Sequence, residues 1–165
     1  FIYSLLGYGL EKAFAKATHA SKQNRKGFLL LPLCPVYGLA MAALLSLPEG
    51  LVRSPWSLLF WGAFTATAVE YVVHWAYEAL LGVRFWDYSQ VRGNLRGRVC
   101  LPFTLAWGVL TAIAVWWIQP WVEVLARRIP PEATYLFLLV FTADALLSAR
   151  FLWVTKDIEG LRAGA

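Results

Sequence analysis

WSLLFWGAFTATAVEYVVHWAYEALL, Trp56–Leu81, is an apolar run long enough to cross a bilayer, yet Glu70, His74 and Glu78 lie within it. A spanning helix needs about 20 mostly apolar residues. An acid near the centre of such a helix costs roughly 3 kcal/mol, so it must face a partner or a watery pathway, or the run is not a span.

Composition settles that alternative. The chain has 165 residues, 59% hydrophobic and 16% aromatic, with only 15% charged, and its mean hydropathy is +0.56. Soluble domains average roughly 25% charged residues. So little polar surface cannot clothe a water-facing globule, and the sequence predicts an all-α integral membrane protein. With no repeat, low-complexity segment or linker, residues 1–165 read as one transmembrane domain.

Five spans are expected, at Phe1 to about Ala17, Phe28–Leu47, Trp56–Leu81, Val99–Gln119 and Ala133–Thr155. Breakers mark the joints: Pro48 and Gly50 after the second, Gly82 after the third, Pro120 after the fourth, Pro130 and Pro131 before the fifth. The second span carries Pro32 and Pro35 in its first turns. Proline removes an amide donor and clashes with the preceding turn, so Phe28–Pro35 is expected to be bent or partly re-entrant. Irregular backbone at that depth is tolerated only when buried in protein or lining a cavity.

The net charge of +5 does not point to nucleic acid, because the basic residues sit in short loops between apolar runs. Twelve of them fall in the first loop region (Lys12, Lys16, Lys22, Arg25, Lys26), the third (Arg84, Arg92, Arg96, Arg98) and the C-terminal end (Arg150, Lys156, Arg162). Only Arg53, Arg127 and Arg128 occupy the other loops. The positive-inside rule then places loops one and three and the C-terminus in the cytoplasm. Tryptophans agree: Trp56, Trp61, Trp116, Trp117 and Trp121 gather at outer span ends, Trp86 and Trp153 at inner ends. Cys34 and Cys100 belong to no metal-spaced set and read as small reduced packers; no metal or cofactor is expected.

Residues four apart lie about 40° apart around a helix, so Glu70, His74 and Glu78 form one stripe about 12 Å tall. Three readings stand for it: interhelical hydrogen-bonding glue, a proton, cation or headgroup pathway, and a divalent metal site that lacks a completing His or Cys. Asp144, mid-way along the fifth span, and Glu11, toward the inner end of the first, are further intramembrane acids. With the stripe they would open a polar cavity toward the cytoplasm, unless Asp144 merely bonds Ser148 or a neighbouring helix. The third loop, RFWDYSQVRGNLRGRV (Arg84–Val99), is densely basic. Its Trp86 and Tyr88 are expected at the headgroups, Asp87 is expected to hold an arginine, and the loop reads as an attractor of anionic lipid or as a docking surface.

In these features the chain resembles the Putative ABC-transporter type IV membrane family, from Phe1 to about Pro120. The residues that carry the likeness are Gly7 with Glu11, KGFLLLPLCPVYG (Lys26–Gly38), Glu70, Glu78, WDYS (Trp86–Ser89), Asn94 with Gly97 and Arg98, and Trp107-Gly108. Pro32, Pro35, Tyr37 and Gly38 are expected to be structural residues of the second span's start, and Trp86, Asp87, Tyr88, Ser89, Asn94, Arg96 and Arg98 a loop that contacts headgroups or a partner; the resemblance favours function over packing for Glu70, Glu78 and Trp86–Ser89. The chain departs from the family pattern at Arg25-Lys26-Gly27, where Asn-Arg-Gly is usual, at Leu31 and Tyr8, where Gly and Trp are usual, and at Gly93, where an aromatic is usual. His74 matches none of the pattern.

The resemblance implies a permease-like transport subunit. No G-x-x-x-x-G-K-[ST] phosphate loop is present, so ATP hydrolysis would need a separate subunit docked on the cytoplasmic loops. Five spans are few for a pathway, which favours a homo- or hetero-oligomer. A non-catalytic accessory subunit of a larger membrane complex is the alternative. A lipid-acting enzyme using Glu70, His74 and Asp87 is a third, weakened by the thirteen residues between the last two.

Overall fold

The computed structural model of the chain describes residues 1–18 and 28–163. Lys22, Arg25, Lys26 and Gly27 lie outside the described residues, as does the side chain of Arg162. The described chain runs α1 (Ile2–Ala17), α2 (Pro35–Leu45), α3 (Glu49–Val52), α4 (Pro55–Ala76), β1 (Asn94–Leu95), β2 (Val99–Cys100), α5 (Leu101–Ile113), α6 (Gln119–Arg128), α7 (Pro131–Thr155) and α8 (Ile158–Ala163). A π-helical turn, Tyr77–Leu81, prolongs α4, and a second, Ala114–Ile118, joins α5 to α6. The antiparallel pair Asn94–Cys100 and Leu95–Val99 is the departure from an all-α class.

Among the described residues three helical stretches are long and apolar enough to cross a membrane: Pro55–Leu81, Leu101–Arg128 and Pro131–Thr155. The first two add their π turns to the helices they extend. At 16 and 11 residues, α1 and α2 fall short of a straight crossing. The reason for the short α2 is local. Phe28–Cys34 is not helical, and the helix begins at Pro35, where a missing N–H costs nothing because first-turn amides have no partner. Pro120 does not end the fourth helix as expected. The π turn just before it re-registers the backbone hydrogen bonds, and Pro120 sits in the first turn of α6 while the helix continues to Arg128. Gly82 does close the third helix, in the left-handed region at φ 67°.

The exterior is apolar and the interior holds polar groups, the reverse of a soluble protein. Trp56, Trp117, Trp121, Leu139 and Leu146 are exposed, whereas Ser4, Thr65, Glu70, His74, Thr111, Asp144 and Ser148 are buried. With lipid outside, no hydrophobic force drives helices together, so close packing and interhelical hydrogen bonds must do it.

α1 packs on α2, α2 on α4 and α4 on α5. One apolar cluster joins Met41, Leu44, Leu58 and Ala112; a second, Val83, Leu152 and Leu161, ties α7 and α8 to the segment just after α4. Small residues let α4 and α5 approach: a methyl at Gly62 would collide with Thr111, and one at Gly108 would lie 2.8 Å from the Leu59 carbonyl oxygen. Thr67 donates to Thr104 across the same seam at 3.1 Å.

Gly108→Ala should therefore destabilise the protein by about 1–3 kcal/mol, because its obstacle is backbone that cannot step aside. Gly9→Ala is the control, since a methyl there meets nothing within 4 Å. Thermal unfolding in detergent should show a lowered midpoint for the first variant and an unchanged or raised one for the second.

Candidate functional site

Glu70 is 4% exposed in the middle of α4, and both of its carboxylate oxygens are held by neutral donors. Tyr88 donates its hydroxyl to Oε1 at 3.0 Å, and Trp107 of α5 donates its indole N–H to Oε2 at 2.9 Å. An unpartnered buried carboxylate is costly, and a buried Tyr or Trp needs an acceptor for its polar end. The three side chains satisfy one another. Trp107 meets the ring of Tyr37 edge to face, centroids 5.3 Å apart, and Tyr37 donates its hydroxyl to Glu11 at 2.8 Å. Gly7 makes room for this, because a Cβ there would fall inside the Tyr37 ring. Glu11, Tyr37, Trp107, Glu70 and Tyr88 thus form one line of contacts across α1, α2, α5, α4 and the third loop.

Tyr88 corrects the expectation that it anchors at the headgroups: at 3% exposed it is turned into the bundle. The loop is built to deliver it. Asn94 donates from Nδ2 to the carbonyls of Ser89 and Val91 and accepts from the amide of Gly97. The amide of Tyr88 in turn donates to the Gly97 carbonyl at 2.7 Å. Gly97 (φ 69°) and Gly93 (φ 71°) occupy the left-handed region that glycine adopts without strain. Arg96 shares that region at φ 54° and stays exposed.

Asp87 does not hold an arginine as a hydrogen-bond partner. Its Oδ1 accepts from the amide of Ser89 at 2.8 Å, closing the turn locally, and that bond holds its carboxyl below the usual aspartate range. The stability this turn gains is present above the unfolded aspartate pKa and is lost as pH falls through the lowered folded value. Glu78 takes the arginines instead. Its Oε1 accepts from Arg84 and its Oε2 from Arg98 at 2.9 Å, and the second bond raises the pKa of Arg98. Arg98 also donates to the Tyr71 hydroxyl at 2.9 Å, so it faces the bundle. Trp86 is half-buried, with its indole N–H donated to the Arg98 carbonyl at 2.9 Å.

His74, 3% exposed, shares the stripe but not the Glu70 cluster. A carbonyl only accepts, so the 2.9 Å contact with the Trp86 carbonyl makes Nε2 a donor. Nδ1 is buried without a hydrogen-bond partner among the described residues. His74 and Asp87 therefore bond to different backbone groups rather than to each other. Among the described residues no group of three or more His, Cys, Asp or Glu is placed to hold a metal ion.

Asp144 is engaged elsewhere. Its two oxygens accept from the amides of Leu30 and Leu31 at 3.0 and 2.9 Å, and Ser148 donates to Oδ1 at 3.0 Å. The sequence points to Ser148, which lies one turn away. It gives no sign of the two amides, which belong to the proline-interrupted stretch that cannot satisfy itself as a helix. The amide of Cys34 completes the anchoring by donating to the Ser4 carbonyl at 2.9 Å, and Gly38 leaves room for the Ser4 side chain. Pro32 is exposed at the rim of the stretch.

The sequence model of the family described as Putative ABC-transporter type IV matches residues 1–149. The chain belongs to that family. No curated protein and no solved structure matches it. The match runs past Pro120 to take in Asp144 and Ser148, and the residues that carry the family likeness are largely those just described in contact. Membership makes the chain a component of a transporter-type membrane family.

Asp144→Ala should leave the amides of Leu30 and Leu31 unpaired at a cost of about 1–3 kcal/mol each. The stretch Phe28–Cys34 should loosen before the rest of the bundle. Labelling of buried Cys34 with a membrane-permeant maleimide should speed up in this variant, while labelling of Cys100 stays at the wild-type rate.

Proposed function

We propose that the chain is a permease-like subunit of a transport assembly, crossing the membrane five times with loops one and three and the C-terminus in the cytoplasm. The observation that carries this reading, beside family membership, is the insertion of Tyr88 from the third loop onto Glu70 in the middle of α4. A force applied to that loop reaches α4 through Glu70 and α5 through Trp107. The loop is the natural docking place for a separate ATPase, since this sequence contains no phosphate loop of its own. Its exposed Arg92, Leu95 and Arg96 are the surface such a partner, or an anionic headgroup, would meet. In this reading Glu11, Glu70, His74 and Glu78 mark the polar route on the inner side. Asp144, engaged by backbone amides, holds the second span's lead-in rather than lining the route.

An accessory subunit without transport is the second reading, and one observation favours it. Glu11, Glu70, Glu78 and Asp144 each accept hydrogen bonds from neighbouring elements, as packing glue would.

Gentle-detergent purification with mass spectrometry of the copurifying proteins separates the two. The transport reading expects a nucleotide-binding ATPase with wild type, Glu70→Gln and Tyr88→Phe alike. It further expects cargo-stimulated ATP hydrolysis to fall by about tenfold or more in both variants, the scale of one lost hydrogen bond to a charged group. Recovery inside a large assembly without an ATPase, unchanged by either substitution, would make the chain an accessory subunit.

A further inference from the structure

The third loop carries Arg84, Arg92, Arg96 and Arg98, and the fold treats them in two ways. Arg84 and Arg98 are both taken by Glu78, and Arg98 also bonds the Tyr71 hydroxyl. Arg92 and Arg96 are exposed and have no ion pair or hydrogen bond among the described residues. The loop's own acid, Asp87, directs its Oδ1 to the Ser89 amide instead. Two positive charges are thus left uncompensated on the loop's surface.

Their position is fixed by the turn that bears them. Asn94–Leu95 pairs with Val99–Cys100, and the amide of Arg98 donates to the Leu95 carbonyl at 3.1 Å. Successive strand residues face opposite ways. Asn94 turns inward to bond Ser89, Val91 and Gly97, so Leu95 points out, 58% exposed. Arg96 follows it in the left-handed region at φ 54°.

The base of the turn is tied to the foot of α5, where the amide of Leu101 donates to the Gly93 carbonyl at 3.1 Å. Leu101 opens the apolar stretch Leu101–Arg128 and is exposed, as is Leu80 on the π turn that ends the preceding apolar stretch. Leu95 and the two arginines therefore lie at the level where a span leaves the hydrocarbon. A free phosphate would use the arginines but gain nothing from an exposed leucine. A protein partner would have to reach past the headgroups to cover Leu80 and Leu101, where a bilayer already lies. An anionic bilayer surface answers both features, since the guanidinium fork matches phosphate and the leucine meets the acyl boundary.

We propose that the Arg92–Arg96 turn is a docking surface for anionic bilayer lipid. Leu95 dips into the acyl boundary, and Arg92 and Arg96 take lipid phosphates whose charge no choline offsets. This surface goes beyond the transport reading and holds without it. Lipid at the tip leaves exposed Asp87, Ser89 and Gln90 for a protein partner. It also gives the loop that inserts Tyr88 onto Glu70 a second anchor, in the leaflet.

The test places an NBD fluorophore on Gln90→Cys of the full chain, where the side chain is exposed while Cys34 and Cys100 are buried. The protein is held in phosphatidylcholine nanodiscs containing a lipid with a nitroxide high on its acyl chain, either phosphatidylglycerol or phosphatidylcholine. Nitroxide phosphatidylglycerol should reach half-quenching at a mole fraction about thirtyfold lower than nitroxide phosphatidylcholine, the scale of two basic residues near an anionic surface. High salt should shrink that preference, because it shortens the screening length from about 8 Å at physiological strength. Arg92→Gln with Arg96→Asn should remove it, asparagine being chosen because it tolerates left-handed backbone. Arg84→Gln, at an arginine already paired with Glu78, should leave it in place. Equal quenching by the two lipids would overturn the proposal, as would a preference that survives loss of both arginines. A label that neither lipid quenches, with an ATPase that copurifies only when Arg92 and Arg96 are present, would also overturn it. That outcome would give the surface to a protein partner and leave the transport reading standing.

Discussion

The carboxylate of Glu70, held between the Tyr88 hydroxyl and the Trp107 indole, is the interaction from which most of the architecture follows. A carboxyl group in the middle of an apolar helix must be given donors by other elements, because its own helix has spent its amides on backbone bonds. One donor comes from the helix packed alongside, the other from a loop that must climb into the bundle to deliver it. That second requirement explains the loop's construction. A tyrosine can be held at depth only if the chain around it satisfies its own backbone. The Asn94 side chain, the two-residue ladder and the left-handed glycines Gly93 and Gly97 accomplish this. Glu78 then fixes the loop's other end through Arg98.

Asp144 solves a different problem with the same chemistry. The stretch Phe28–Cys34 contains Pro32 and runs up to Pro35 at the start of α2, and its amides cannot be answered by a regular helix. A carboxylate on α7 answers two of them. In both places a buried acid stabilises an irregular segment, and the segment justifies burying the acid. One device joins the third loop to α4 and α5, and the other joins the second span's lead-in to α7.

Much of this was legible in the chain. Composition announces a membrane protein, and the four-residue spacing of Glu70, His74 and Glu78 announces one polar stripe. Pro32 and Pro35 announce a late helix start, and Gly82 and Pro131 mark true boundaries. What stayed hidden depends on partners that spacing cannot name. Tyr88 reads as an interfacial anchor because a loop tyrosine beside arginines usually is one; only the fold reveals a carboxylate within its reach. Asp87 reads as the holder of an arginine until the loop's path sets Arg98 beside Glu78. Pro120 reads as a stop because a proline breaks an α-helix, and the π turn that absorbs it has no sequence signature of its own.

The family pattern itself acquires a physical content. Gly7 admits the Tyr37 ring, Tyr37 bonds Glu11 and abuts Trp107, Trp107 and Tyr88 hold Glu70, Asn94 and Gly97 shape the loop, and Arg98 pairs with Glu78. A pattern of isolated letters is thus a set of mutual contacts, and a change at one site alters the donors or the space available at the next. Such a network can work as a lever or as a brace. A lever requires a second arrangement within a few kcal/mol of the first, with the loop withdrawn and Glu70 given other donors. A brace requires that no such arrangement be close. The tyrosine and tryptophan donors on Glu70 could each be exchanged for water or a substrate group at the cost of one hydrogen bond, which is what a lever needs. The Arg98–Glu78 pair at the loop's base supplies the fixed point about which such a loop would turn.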